Sequence, residues 1–95
     1  MRTINKKMSA AVAAHKNFKL SNTEVVASED GNVYVYLHGN KIYMEVDGKE
    51  SFSLAGWNTN TTRSRLNALG VDIKQRNFTA LHNGKGIDVN KWYNV

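Results

Sequence analysis

The 95-residue sequence contains no cysteine and no proline. Without cysteine it has no disulfide, thiolate zinc site, iron–sulfur cluster or cysteine nucleophile. No stretch approaches the roughly 18 consecutive apolar residues that a membrane span needs, and residues 8–14 are too short a run for a secretory signal. We therefore expect a cytoplasmic protein with no membrane contact. One domain over residues 1–95 is expected, because two smaller cores would each be too small to be stable.

Patterns typical of catalysis or metal binding are also missing. His15, His38 and His82 lie far apart, and no pair shows the short spacing that metal ligands favour. The chain has no serine elbow and no Walker loop, and most of its acidic residues fall in predicted turns. We therefore expect no enzyme activity, no metal and no cofactor.

Charge is distributed unevenly, although the net charge is only +5. Residues 1–23 carry five Lys or Arg and no acid, residues 24–58 carry two against six acids, and residues 59–95 carry six against two. If the two basic ends meet in the folded chain, they form one positive face, as nucleic-acid binders have. The acidic middle instead suits a basic protein partner. The acidic residues of its predicted turns are Glu29, Asp30, Asp47 and Glu50.

Hydrophobic periodicity predicts an N-terminal helix over residues 3–16, with Thr3 as its cap. Phe18 and Leu20, which follow the helix, are expected in the core. Residues 24–54 then alternate between apolar and polar and are divided by turn signals at residues 29–32, 39–40 and 47–48. This pattern is typical of a three- to four-stranded antiparallel β-meander.

The tyrosines of the meander leave two interpretations open. Tyr34, Tyr36 and Tyr43 are predicted on the strand face opposite the valines. If that face is open, it is a platform that stacks bases or contacts a protein. If a helix covers it, the tyrosines belong to the core.

The rest of the chain predicts a short second helix and a C-terminal hairpin. The helix spans residues 62–69 and ends at Gly70, which is the usual helix-terminating residue. After a brief extended segment at residues 71–73, residues 78–82 and 87–95 are expected to pair as the hairpin. Helix, meander, helix and hairpin together make an α+β fold.

The start of the second helix is the predicted binding site. A helix N-terminus offers unpaired N–H groups and a partial positive charge, to which threonine hydroxyls and arginine guanidiniums add further donors for a phosphate. The alternative is that Thr61 or Thr62 is an ordinary N-cap and that both arginines are solvated. The predicted nucleic-acid or phosphate site comprises Trp57, Thr61, Thr62, Arg63, Arg65, Lys74, Arg76, Lys6 and Lys7.

Residues 56–67, GWNTNTTRSRLN, resemble a segment of small, largely uncharacterised proteins of tailed bacteriophages. Residues 37–40 and 75–78 are similar as well, so the likeness covers residues 30–95. Those proteins often carry a proline shortly after the aromatic residue, where this chain has Asn58 and Thr59. The resemblance implies an accessory protein of the infected host's cytoplasm that acts by binding. Its partner would be nucleic acid, or a host or defence protein that it inhibits or modulates.

Overall fold

The computed structural model describes residues 2–95. Two α-helices and nine β-strands make up this part of the chain. In order they are α1 Thr3–Ala14, β1 Phe18–Leu20, β2 Thr23–Ala27, β3 Val33–Leu37, β4 Asn40–Val46, β5 Lys49–Phe52, α2 Asn60–Ala68, β6 Ile73–Arg76, β7 Thr79–His82, β8 Lys85–Gly86 and β9 Tyr93–Asn94. The predicted α+β class is confirmed.

The strands form two antiparallel sheets, with orders β1-β2-β3-β4-β5-β9 and β6-β7-β8. The predicted meander of three or four strands is therefore too small, because β1 and β9 extend it to six strands. The predicted C-terminal hairpin is only partly right, because β7 turns back at Asn83-Gly84 to pair with β8 at residues 85–86 and not with residues 87–95. β7 pairs with β6 and β8, whereas residues 93–94 pair with β5. The first strand of the predicted hairpin also begins one residue later than expected, because Phe78 lies in the turn before β7.

The first helix begins at Thr3, as predicted, but its cap and its C-terminal end differ from the prediction. Arg2, not Thr3, is the N-cap of α1, and it makes no side-chain capping bond. The helix ends at Ala14 because His15 adopts a left-handed backbone conformation. Leu20 is 42% exposed on the short edge strand β1 rather than buried. None of the helices within residues 2–95 is long and apolar enough to cross a membrane.

A β-bulge in β4 changes which side chains of this strand face the core, relative to the predicted alternation. Val35 pairs with Tyr43 and Tyr36 pairs with Lys41, so Ile42 is the extra residue on β4. Tyr43 consequently lies on the face of Val35, where both are buried. The prediction that Tyr43 lies opposite the valines is therefore wrong.

The core lies between the valine face of the large sheet and the two helices. Met8 of α1, Leu66 of α2 and Ile73 of the small sheet belong to one buried cluster with the valines, so all layers share one core. Its members are Met8, Ala11, Val25, Val33, Val35, Leu37, Ile42, Tyr43, Phe52, Leu54, Leu66, Val71, Ile73 and Ala80.

Candidate functional site

The helix α2 is capped by Thr59, which precedes both predicted cap residues. Its Oγ1 accepts a hydrogen bond of 3.1 Å from the backbone N–H of Thr62 and lies 2.9 Å from the hydroxyl of Thr62. Thr62 itself is buried, and Thr61 is partly exposed. The prediction that Thr61 or Thr62 is the cap is wrong, because α2 begins at Asn60, two residues earlier than predicted.

Arg65 is the buried centre of a polar network and is only 3% exposed. Its Nε donates to Thr23 Oγ1 at 2.9 Å, and its Nη1 donates to Asn5 Oδ1 at 2.8 Å. Its Nη2 lies 3.4 Å from Asn22 Oδ1. Burial, together with the nearby charge of Arg2, lowers the pKa of this guanidinium. Arg65 therefore joins α2 to α1 and β2, and its donors face the protein rather than solvent.

Arg63 is half-buried and binds amide oxygens. Its Nη1 donates to Asn58 Oδ1 and, at 3.1 Å, to Gln75 Oε1, while Nη2 donates to Asn60 Oδ1. These bonds fasten the loop before α2 to β6. The guanidinium is thus engaged within the chain, although part of it reaches solvent.

Asn67 completes the connection between α2 and β6, a role that the sequence patterns did not reveal. Its Nδ2 donates to the carbonyls of Arg63 at 2.9 Å and Ile73 at 3.0 Å. Its Oδ1 accepts from the N–H of Ile73 at 3.2 Å. Much of the segment that resembles phage proteins therefore serves the fold.

The small sheet is basic and the large sheet is acidic. Residues 73–87 contain Lys74, Arg76 and Lys85 and no carboxylate, whereas residues 18–52 contain three lysines against six carboxylates. Ile73 is buried, and side chains alternate along a strand, so Lys74 and Arg76 share the outward face of β6. Both cations are exposed.

Lys6 and Lys7 are exposed on α1, which is distant from the small sheet in the sequence. The elements that carry the two basic ends of the chain, α1 and β6, both contact α2.

Two exposed aromatic side chains lie on neighbouring segments, the loop before α2 and the β6–β7 turn. Trp57 is 60% exposed and Phe78 is 92% exposed. Asn58 Nδ2 donates to the carbonyl of Phe78 at 3.4 Å, so the loop that carries Trp57 contacts the turn that carries Phe78. Sequence reasoning missed Phe78 as a surface residue. The one local signal was the preceding Asn77, since asparagine tolerates the left-handed conformation that turns require.

A groove of about 490 Å³ lies beside the Trp57 loop. It combines an apolar floor with a polar rim that contains no lysine, arginine or carboxylate. Its lining includes Leu37, His38, Asn40, Ile42, Leu54, Trp57, Thr59, Thr61 and Thr62. Three of the predicted site residues therefore meet in one groove, while the predicted cations lie elsewhere.

The outer face of the large sheet carries Tyr34 and Tyr36, which lie outside the buried cluster and are half-buried. The Nζ of Lys41 lies 4.6 Å from the ring centroid of Tyr34 and 5.9 Å from that of Tyr36. This cation occupies the position that a stacked base would need. The tyrosines are therefore outside the core, but their rings are partly shielded.

The opposite face of the large sheet carries a cluster of ionisable side chains between α1 and β4. Glu45 and Glu50 are cross-strand partners, and His15 Nε2 lies 2.8 Å from Glu45 Oε2. Burial, followed by the charges of Glu50 and Glu45, raises the pKa of Tyr43. No three His, Asp or Glu side chains in the described part of the chain are arranged to hold a metal ion.

The whole chain, residues 1–95, matches the family described as Kyanoviridae Gp96 protein. The chain therefore belongs to this phage protein family, which confirms the predicted phage origin. No curated protein and no solved structure gives a significant match. The family description names no activity.

Proposed function

We propose that this phage protein binds nucleic acid through the outward face of the β6–β8 sheet. One observation carries the proposal. Residues 73–87 hold three cations and no carboxylate, and two of these cations are exposed on one strand face. Lys74 and Arg76 are two residues apart, or about 6.6 Å along a strand, which lets each contact a separate phosphate.

The exposed aromatic residues support a nucleic-acid ligand over a simple anion. Phe78 lies two residues beyond Arg76, and Trp57 precedes Asn58, whose side chain donates to the carbonyl of Phe78. Nucleic-acid surfaces combine cations that follow the phosphates with aromatic rings on which bases stack. A small phosphorylated metabolite would need only the cations.

The proposed surface differs from the site that the sequence indicated. Arg63 and Arg65 are left out because their donors are engaged within the chain. Lys74 and Arg76 become the principal contacts. Lys6 and Lys7, which are exposed on α1, are kept as additional phosphate contacts.

Fluorescence anisotropy with a labelled oligonucleotide at several salt concentrations tests the proposal. Lys74→Ala and Arg76→Ala are each expected to weaken binding. Each should also flatten the log–log salt dependence by about 0.7 on a single strand or about 0.9 on duplex DNA. Lys49→Ala is the matched control, because Lys49 is an exposed lysine on the acidic large sheet. The proposal is wrong if the Lys74 and Arg76 variants keep the wild-type salt dependence.

A protein partner is the second candidate, and the groove beside Trp57 favours it. An apolar floor with an uncharged rim suits an apolar side chain of a host or defence protein better than a phosphate. In this case the protein acts as a stoichiometric inhibitor or modulator. The acidic turns of the large sheet would attract a basic partner.

A tagged pull-down from host lysate, with and without nuclease, separates the two candidates. A stoichiometric partner that survives nuclease treatment, and is lost with Trp57→Ala, supports the protein target. A set of nucleic-acid-associated proteins that disappears after nuclease treatment supports the proposed function.

A further inference from the structure

The turn between β6 and β7 carries an unusual residue. Arg76 pairs with Thr79, so only Asn77 and Phe78 form the turn, with φ of +49° and +64°. Two positive φ values are typical of the type I′ hairpin turn, in which glycine is the common second residue. A phenylalanine there is strained because its β-carbon crowds the backbone.

Three other hairpin turns of this chain show what the same geometry normally requires. Each has two residues with positive φ, and in each the second residue is glycine. They are His38-Gly39, Asp47-Gly48 and Asn83-Gly84. The β6–β7 turn differs from them in its second residue alone, and there the chain carries a large aromatic side chain in place of glycine.

The ring of Phe78 does nothing for the fold that would offset this strain. It is 92% exposed, so it makes little contact with the rest of the described chain. The exposed ring therefore gains no burial energy that would offset the strain of its backbone. Such exceptions to local rules concentrate where a residue acts on a ligand.

We infer that the nucleic acid is single-stranded and that Phe78 stacks on one of its bases; this inference rests on the function proposed above. The ring projects from the end of the strand that presents Lys74 and Arg76, so one ligand can bring a base to the ring and phosphates to the cations. In a duplex the base faces are already stacked on their neighbours, so a ring reaches them only by unstacking a step. An unpaired base has a free face for the ring.

The test compares a single strand with the duplex of the same sequence by anisotropy at one salt concentration. The wild-type protein should bind the single strand more tightly. Phe78→Gly should weaken single-strand binding by between about 5-fold and about 150-fold, the range for loss of one stacked base. It should leave the salt dependence unchanged, because no cation is lost. Phe78→Trp should retain tight binding.

Thermal unfolding of Phe78→Gly distinguishes a binding role from a structural one. The variant restores the Asn-Gly turn, so its Tm should equal or exceed that of the wild type. A Tm clearly below the wild type would show that Phe78 stabilises the fold and would overturn the inference.

The remaining outcomes separate this inference from the proposed function. If the protein binds both forms equally and Phe78→Gly has no effect, the stacking inference is wrong. Nucleic-acid binding still stands in that case, provided that Lys74→Ala and Arg76→Ala flatten the salt dependence. If no oligonucleotide binds with salt dependence, both are wrong.

Discussion

Replacing Arg65 with methionine tests whether the buried polar network holds the two helices and the large sheet together. The variant keeps most of the side-chain volume but removes the donors to Asn5 Oδ1 and Thr23 Oγ1. Both acceptors belong to buried residues, so water does not readily replace the guanidinium. A buried acceptor without a donor costs about 1–3 kcal/mol, so two cost about 2–6 kcal/mol.

Part of this loss is recovered. The guanidinium of Arg65 is desolvated and its hydrogen-bond partners are neutral, and its removal relieves that desolvation. We therefore expect the free energy of unfolding to fall by about 2–4 kcal/mol. A chain of this size has a total stability of about 5–14 kcal/mol. The corresponding fall in Tm is about 10–30 °C.

Urea unfolding followed by far-UV circular dichroism measures the change. Arg63→Met is the matched control in the same helix. It removes a guanidinium whose amide acceptors are partly or fully exposed, so water can replace it and the loss should stay below about 1 kcal/mol. An Arg65→Met variant within about 0.5 kcal/mol of the wild type would refute the reasoning. Equal losses in the two variants would refute it as well.

Three further substitutions test local features. Thr59→Ala should lower the free energy of unfolding by about 1 kcal/mol through loss of the α2 cap, whereas Thr61→Ala should change it little, as urea unfolding would show. Burial and two nearby carboxylates raise the pKa of Tyr43 in the folded chain. The ionisation of this phenol therefore leaves the free energy of unfolding unchanged below the unfolded-state pKa of about 10 and lowers it as the pH rises above that value. Tyr43→Phe should therefore reduce the difference in stability between about pH 8 and about pH 11, and an unchanged difference would contradict this. Asn67→Leu removes the side-chain hydrogen bonds to Ile73 and should lower the Tm; amide hydrogen exchange at Ile73 should become faster, and unchanged exchange would count against the role of Asn67.

The parts of the fold that local chemistry determines could be predicted from the sequence. Turn pairs such as Asp47-Gly48 and the strict alternation of residues 33–37 define their hairpin and strand without help from distant residues. Gly70 likewise lies just beyond the end of α2, with φ of +90°. These signals are local, and the structure keeps them.

The remaining features depend on contacts between distant residues. The bulge at Ile42 changes the face of Tyr43 without any marker in the alternation. Arg65 lies in a segment that is typical of an exposed helix start, yet it is buried by residues up to 60 positions away in the sequence. The pairing of residues 93–94 with β5 is also long-range. No local pattern predicts which polar side chains such contacts enclose.

For the candidate site, the sequence indicated the types of residue but not which of them are buried. The sequence singled out basic residues of the C-terminal third, and the structure shows that Lys74 and Arg76 are exposed. The sequence could not show that the threonines and arginines at the start of α2 are less exposed than these two cations. Exposed and buried arginines have the same local signature until the packing is known.

The salt dependence of oligonucleotide binding by the Lys74→Ala/Arg76→Ala double variant tests the proposed function most directly. Two lost phosphate contacts should flatten the log–log slope by about 1.4 on a single strand relative to the wild type, while Lys49→Ala keeps the wild-type slope. If the double variant keeps the wild-type slope, the small basic sheet does not contact the phosphates, and nucleic-acid binding through this face is contradicted.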